Sequence, residues 1–264
     1  MMRVGSNKFN VCLLCAGFLF VALWGKVLAA PAELTVSPKV VRIGTWYDGV
    51  KIRVRALIPQ DCQAVLELRG EPAQTRLMRK EQVWGMWKNG EEILEQGVPA
   101  LYLAMSTDPK LLSRSNKKPS WGYEAISERI SFTGGVGNIA HRQLFDEFLR
   151  LKENRGRYGI FPGGASIQVL PERGQRVEGV FNLPSRLPRG NYHVTLSVVK
   201  DGRVVSKEMR PLKVALVGFP AAIFELAHKH ALAYGILAAG IAIISGFLVG
   251  LLFQFIGKSD SKGL

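Results

Sequence analysis

The sequence predicts a mainly β protein, with an antiparallel, immunoglobulin-like β-sandwich, a helical insert and one C-terminal transmembrane helix. Apolar and polar residues alternate over 50–56 and over 192–198, a period of two that is typical of half-buried strands. Turns rich in Gly and Pro separate further short strand-like runs, at a spacing typical of a sandwich. Residues 231–257 carry no charge and exceed the about 20 residues that a membrane-spanning helix needs.

The first 29 residues have the pattern of a secretory signal peptide. A positively charged start precedes the apolar run 11–23, and Val27-Leu28-Ala29 offers small or modest residues before a predicted cleavage after Ala29. The alternative is an uncleaved N-terminal anchor. Cys12 and Cys15 lie inside the apolar run, so we do not interpret their C-x-x-C spacing as a redox or zinc motif.

Several turn and strand signals subdivide the β regions. Lys200-Asp201-Gly202-Arg203 is typical of a tight hairpin turn, and Asp48-Gly49 gives a second hairpin signal. Residues 76–78 and 83–87 are predicted as two separate short strands. Whether the N-terminal and C-terminal β regions form one sandwich or two is left open by these patterns.

A helix is predicted between the two β regions. Apolar residues recur at helical spacing over 139–153, with Asn138 as the predicted N-cap and Gly156 as the predicted stop. The predicted organisation is a signal peptide at 1–29, an N-terminal β region at 30–106, a loop and helical insert at 107–157, a C-terminal β-sandwich region at 158–218, an interfacial segment at 219–230, the transmembrane helix at 231–257 and a cytoplasmic tail at 258–264.

The two ends together predict the topology. The signal peptide starts export and the apolar segment 231–257 stops it, while Lys258 and Lys262 add a weak positive-inside signal. We therefore expect a single-pass protein of the inner (plasma) membrane, with its bulk in the periplasm and its C-terminus in the cytoplasm.

Small residues recur every four positions in the predicted span, at Ala238, Ala242, Gly246 and Gly250. Such a stripe lets a second helix approach closely, so it predicts contact with another membrane protein. The alternative is that glycine is simply frequent in membrane helices.

The chain is basic, with 35 Lys and Arg against 21 Asp and Glu and a formal net charge of +14. Such a charge attracts nucleic acid, an anionic membrane surface or a small anion. Export argues against nucleic acid, which leaves the inner membrane as the expected partner and a small anion as an open alternative.

The most distinctive stretch, residues 75–89, places cations beside tryptophans. The candidate ligand or partner surface comprises Arg76, Arg79, Lys80, Trp84 and Trp87. A basic rim around an aromatic floor suits a small anion or the acidic surface of a partner. The alternative is that both tryptophans belong to the sandwich core.

No pattern in the sequence points to catalysis, a metal or a cofactor. Residues 135–140 fit the dinucleotide-binding pattern G-x-G-x-x-A, but the sequence predicts no βαβ unit around them, so we do not interpret them as a nucleotide site. A weaker alternative is that this turn and the N-terminus of the following helix bind a small anion. The four histidines, among them His141 and His193, lack ligand spacing, and Ser166 does not stand in a G-x-S-x-G motif. We therefore expect a protein that is not an enzyme and has no metal site or cofactor.

Short motifs along most of the chain resemble one family. They are Arg79-Lys80-Glu81 with Gly85 and Trp87-x-Asn89, then Val98-Pro99-x-x-Tyr102, Phe148-Leu149-Arg150-Leu151-Lys152, and Leu187-Pro188-x-Gly190-x-Tyr192. With the single C-terminal span, they resemble the Alph_Pro_TM family of uncharacterised transmembrane proteins, first defined in alphaproteobacteria.

The resemblance implies no activity, but it associates the family with permeases of the sulfite or organosulfonate exporter type. Our leading hypothesis is a membrane-anchored periplasmic protein that serves as a non-enzymatic accessory or interaction module for such an anion exporter. The alternative is a periplasmic anion-binding sensor or receptor domain.

Overall fold

A computed structural model describes residues 33–112, 121–136, 139–171 and 174–259. The predicted signal peptide, the predicted cap Asn138 and most of the predicted tail lie outside these ranges. The strands are β1 Glu33–Ser37, β2 Val40–Ile43, β3 Val50–Ile58, β4 Gln63–Gly70, β5 Thr75–Val83, β6 Met86–Gln96, β7 Tyr102–Ser106, β8 Ser131–Gly134, β9 Tyr158–Phe161, β10 Ser166–Leu170, β11 Gly174–Leu183, β12 Gly190–Lys200 and β13 Arg203–Leu216. The helices are a 3₁₀ turn Pro109–Leu112, α1 Gly122–Ser127, α2 His141–Asn154, α3 Phe219–Lys229 and α4 Ala231–Ser259.

Two sheets pack face to face around one core. One has the strand order β1-β3-β11-β10, and the other has the order β2-β13-β12-β4-β7-β9. Both sheets combine strands from the N-terminal and C-terminal β regions, because β3 pairs with β11 and β4 pairs with β12. The two regions therefore form a single sandwich, which is one of the alternatives that the sequence left open.

The prediction of a mainly β fold with one C-terminal apolar helix is confirmed. Most strand pairs are antiparallel, but the edge pairs β2–β13 and β7–β9 are parallel. The immunoglobulin-like topology stays a prediction.

Alternating side chains in β3 build one wall of the core. Ile52 and Val54 are fully buried, whereas Lys51 and Arg53 face solvent. The strand β12 contributes the opposite wall, but its polar residue Ser197 is buried as well. This difference arises because Leu111 of the 3₁₀ turn and Trp121, directly before α1, pack with Val65 and Val199 on the outer face of the six-stranded sheet.

The predicted turns have two outcomes. Lys200–Arg203 is a hairpin turn, with positive φ at Asp201 and Gly202. Asp48-Gly49 is not a hairpin turn, because β2 and β3 lie in different sheets and the segment crosses between them.

The helical insert packs on the outer face of the six-stranded sheet. Helix α2 begins at His141 with Ala140 as its N-cap, and it ends before Gly156, which has a φ of +64°. Its apolar face buries Phe148 and Leu149 against the β7 and β9 side chains of a second apolar cluster. The predicted helix is thus present.

A third, smaller sheet has the order β5-β6-β8 and lies beside α2. The predicted short strand 76–78 lies within the longer strand β5, whereas the predicted strand 83–87 is wrong, because the turn of a long β5–β6 hairpin falls at Trp84-Gly85. Helix α4 contains an apolar span, Ala231–Gln254, with a mean hydropathy of 2.6 and no residue buried. In the part of the chain that the structure describes, α4 alone is long and apolar enough to cross a membrane.

Candidate contact surface on the β5–β6 hairpin

The turn of the β5–β6 hairpin has an unusual residue at its tip. Trp84 and Gly85 have φ values of +54° and +77°, and Val83 pairs with Met86, so the loop contains two residues. This geometry is that of a primed hairpin turn, in which Asn-Gly is the preferred sequence. A bulky side chain in the left-handed region is strained, and such strain is concentrated at functional sites.

Apolar side chains at this tip are open to solvent. Trp84 is 95% exposed, Met86 72% and Trp87 69%. The interpretation of both tryptophans as sandwich core is therefore wrong. A contiguous exposed apolar patch marks an interaction surface, and tryptophan is the residue most enriched at energetically dominant contacts.

The predicted cations lie on the same hairpin but not around the indoles. Lys80 Nζ donates to Asn89 Oδ1 (2.5 Å), and Arg76 Nε lies 3.3 Å from Glu92 Oε1. Because a strand rises about 3.3 Å per residue, Arg76 lies roughly 26 Å along the hairpin from Trp84. Among the described side chains, no cation stacks on either tryptophan of the tip. Arg79 belongs to β5, but the structure does not describe its side chain.

The base of the hairpin is anchored by a buried ion pair. Lys152 of α2 is 2% exposed, and its Nζ donates to Oε1 of the fully buried Glu95, 2.5 Å away. Burial lowers the pKa of Lys152, and the Glu95 carboxylate opposes part of that shift. Since a buried charge is tolerated only when it is paired, this contact ties the hairpin to α2.

A groove of about 430 Å³ lies between the hairpin and α2. Its lining includes the apolar residues Ile93, Phe132 and Leu144 and the cations Arg76 and Arg155. The structure thus places Arg76 at this groove and the tryptophans at the distal tip.

Another buried polar cluster lies behind the hairpin base. Tyr102 donates its hydroxyl to Glu67 Oε1 (2.7 Å), Arg69 also donates to that oxygen (2.6 Å), and the backbone N–H of Gly122 donates to the Tyr102 oxygen (2.7 Å). Burial, reinforced by the Glu67 charge, raises the pKa of Tyr102. These contacts pair the Tyr102 hydroxyl with Glu67 and Arg69 inside the protein, although the buried Nε of Arg69 has no partner among the described residues. The arrangement is typical of a structural network.

The remaining candidates of the sequence stay apart. His141 approaches the carbonyl oxygen of Ile130 (3.4 Å), and Ser166 donates to the carbonyl oxygen of Glu178 (3.2 Å). The strands on either side of α2, β8 and β9, belong to different sheets, so residues 135–140 are not part of a βαβ unit. Within the described ranges, no three His, Cys, Asp or Glu residues converge as metal ligands do.

The small-residue stripe of α4 is open to its surroundings. Ala238, Ala242, Gly246 and Gly250 are all exposed, and a Cβ added at either glycine would meet no atom within 4 Å. The rest of the described chain therefore leaves this helix face free.

Sequence reasoning overlooked two exposed apolar residues. Met86 completes the hairpin tip, and Trp46, which is 95% exposed, stands in the loop between β2 and β3. The available signal was an aromatic residue inside a segment bounded by Gly44 and Gly49, where turns rather than core strands are expected.

A β-sandwich joined to one apolar helix that is long enough to span a bilayer defines a membrane-anchored β protein. The chain belongs to the family described as "Putative transmembrane protein (Alph_Pro_TM)", whose model matches residues 32–254. The predicted family is thereby confirmed. A comparison with curated proteins found no match.

Proposed function

We propose that this protein is a non-enzymatic interaction module, tethered in the inner membrane with its bulk in the periplasm and its C-terminus in the cytoplasm. It contacts another membrane protein through the hairpin tip and through α4. The partner class is an anion exporter of the sulfite or organosulfonate type, following the association that the family resemblance implies. A basic domain beside an anion permease is electrostatically favourable.

The observation that carries this proposal is the exposure of the tip. Trp84 and Trp87 present large apolar surfaces on a short, conformationally restricted turn. A preformed aromatic anchor loses little conformational freedom on binding, and therefore more of its burial contributes to affinity. The buried ion pair between Glu95 and Lys152 keeps the base of the hairpin attached to α2.

The second contact is the stripe on α4. Helices in lipid associate through close van der Waals packing, which small residues permit. The small side chains at Ala238, Ala242, Gly246 and Gly250 support this role. Contact at two points raises the effective affinity beyond that of either one.

Capture of the partner from native membranes tests the proposal. The full chain carrying W84S and W87S should recover at least about tenfold less of one co-purifying membrane protein, since aromatic hot spots contribute about 2 kcal/mol or more. The variant V169S is the control, because Val169 is also an exposed apolar residue but lies on the edge strand β10 of the four-stranded sheet and not on the hairpin. Undiminished capture by the hairpin variant would refute the role of the tip.

The span is tested separately in the same assay. Leucine at Gly246 and Gly250 adds bulk to the open face, so the double variant should release the partner in detergent. Leucine at Ala233 and Gly240 is a matched control, because it adds similar bulk on the opposite face of the helix while keeping the helix apolar. Equal capture by both variants would remove the stripe from the mechanism.

Protease added to spheroplasts tests the orientation. A periplasmic sandwich should be digested while a short membrane fragment remains, and full protection of the sandwich would refute the proposed topology.

The alternative function is an anion-binding sensor that uses Arg76, Arg79 and Lys80. Calorimetry of the full chain in nanodiscs with sulfite, sulfate and phosphate distinguishes the sensor from the interaction module. Saturable heat that disappears in R76A and K80A would favour the sensor, whereas the interaction module should give none.

A further inference from the structure

One end of the sandwich is held close to the bilayer by the chain itself. Strand β13 ends at Leu216 and α3 begins at Phe219, so only Val217 and Gly218 lie between them. Helix α3, about 16 Å long at about 1.5 Å per residue, passes through His230 directly into α4. The end of the sandwich that contains the C-terminus of β13 therefore lies next to the membrane surface when α4 is inserted.

Trp46 lies at this same end. Strand β2 runs parallel to the last residues of β13, with Ile43 opposite Leu216, and the N–H of Val217 donates to the carbonyl oxygen of Ile43 (2.9 Å). The loop that carries Trp46 begins with the next residue after β2. The side chain of Trp46 is 95% exposed and thus available to a surface outside the domain.

The Trp46 loop is held in place by its neighbour. Tyr47 packs against the sandwich core, and its N–H donates to the carbonyl oxygen of Gly44 (3.2 Å). Because the adjacent residue is anchored, Trp46 is presented outward from a fixed turn.

Helix α3 is attached to this end as well. The guanidinium of Arg189 lies 3.6 Å from the centroid of the Phe224 ring, and Phe224 stacks on His228. No residue of α3 is buried, and Phe219 at its start is 68% exposed. The helix therefore adds further apolar surface beside the exit to the membrane.

The exposed charges at this end have a positive excess. The cations include Arg42, Lys51, Arg186, Arg189, Lys213 and Lys229, and the anions include Asp48, Glu71 and Glu225. Basic residues next to a membrane are attracted to anionic headgroups, and tryptophan is enriched at the depth of the headgroups, where its ring is apolar and its N–H finds a polar partner.

We propose that this end of the sandwich is a lipid-contact surface, on which Trp46 inserts into the headgroup layer and α3 lies along it. The occupant is the bilayer and not a second protein, because α3 packs on this end through Phe224 and Arg189 and continues through His230 into α4, which keeps the surface near the membrane. Contact at Trp46 fixes the tilt of the sandwich relative to α4, and so determines the direction in which the hairpin is presented.

Fluorescence of the full chain in nanodiscs tests this inference, with phosphatidylglycerol and phosphatidylcholine that carry bromine high on their acyl chains. Brominated lipid should quench part of the tryptophan emission of the wild-type protein, and W46F should lose about half or more of that quenched part, because Trp46 is the tryptophan placed at the interface. The variant W84F is the matched control, since Trp84 is equally exposed at the hairpin tip. It should keep the quenched part.

Three outcomes would overturn the inference. Unchanged quenching in W46F would show that Trp46 does not reach the lipid. Loss of the quenched part in W84F but not in W46F would place the hairpin, and not this end, in the membrane. A Trp46 that is shielded from aqueous iodide without being quenched by bromine would be covered by a second protein copy.

Discussion

The two ends of the β5–β6 hairpin have opposite environments. At the base, Glu95 and Lys152 are almost completely removed from water and paired with each other. At the tip, Trp84 and Trp87 face water, and most of their surface is left uncovered by the residues that the structure describes. The usual arrangement, with charges outside and aromatic residues inside, is therefore reversed along one pair of strands.

This reversal separates stability from binding. A buried charge pair specifies where the hairpin attaches, because either residue alone would be a costly unpaired charge. Exposed tryptophans add nothing to the core, and several of them close together mark an interaction surface. We therefore expect changes at the base to alter unfolding and changes at the tip to alter association.

Removal of one partner of the buried pair should have the largest effect. The variant K152A leaves Glu95 buried and unpaired, so its free energy of unfolding should fall by about 3–5 kcal/mol. Urea denaturation of the full chain in detergent measures this change. The exposed pair Lys80–Asn89 offers the control, and K80A should lose no more than about 0.5 kcal/mol.

A double variant sharpens the same comparison. Replacing Lys152 by Met and Glu95 by Leu removes both charges, and it should restore most of the stability that K152A loses. If K152A were as stable as the wild type, the base would not be anchored by this pair.

The hydrogen bond of Tyr192, at the start of β12, should show a smaller, pH-dependent effect on stability. Tyr192 donates its hydroxyl to the carbonyl oxygen of Pro188 (2.6 Å), four residues upstream, as in a tyrosine corner, and its ring packs against Gly70 at the end of β4. Loss of this hydrogen bond in Y192F should cost about 0.5–1.5 kcal/mol near neutral pH.

Burial also raises the pKa of Tyr192 to about 12, above its ordinary value of 10.0. Below pH 10.0 the Tyr192 hydroxyl is protonated in both the folded and the unfolded state. Between pH 10.0 and about pH 12 the unfolded chain loses this proton while the folded protein keeps it, so the free energy of unfolding falls as pH rises. Y192F should therefore show a shallower alkaline decline, measured by denaturation at about pH 9 and about pH 11. It should not become flat, because burial also raises the pKa of Tyr102 and Tyr158. An identical alkaline slope in Y192F and the wild type would contradict this assignment.

The smallest effect is expected at the tip, and it has the opposite sign. Asparagine tolerates the left-handed conformation that strains Trp84, so W84N should gain up to about 1 kcal/mol in the free energy of unfolding. The same variant should capture less of the partner, as expected when a binding residue is retained at the expense of stability.

The neighbouring position of the turn provides the control for W84N. Gly85 also has positive φ, so G85A should lose about 1 kcal/mol. A loss of stability in W84N would mean that Trp84 supports the fold, and the division between base and tip would then fail.

Local patterns were sufficient for several elements of the fold. The alternation in β3, the turn at Asp201-Gly202 and the apolar length of α4 each depend on residues close in sequence, and each is present as predicted. The long hairpin was missed because β5 and β6 lack clean alternation, and because a turn at Trp84-Gly85 departs from the preferred turn residues.

The environment of the candidate site was decided by contacts over long distances along the chain. Nothing near Lys152 in sequence indicates that it is buried against Glu95, 57 positions away. Likewise, the tryptophans of residues 75–89 are compatible with core or surface until the position of the hairpin is known. Their exposure follows from the protrusion of the tip beyond the sheet and helix that cover the base.

By itself, then, the sequence determined the mainly β class, the C-terminal apolar helix and the family, because these depend on periodicity, length and short motifs. Only the tertiary structure decided that the two β regions share one sandwich, that Glu95 and Lys152 meet, and that Trp46 lies beside the exit to α4. Strand pairing between distant segments has no local signature, since any strand with the right alternation can pair with several others until the whole core is packed.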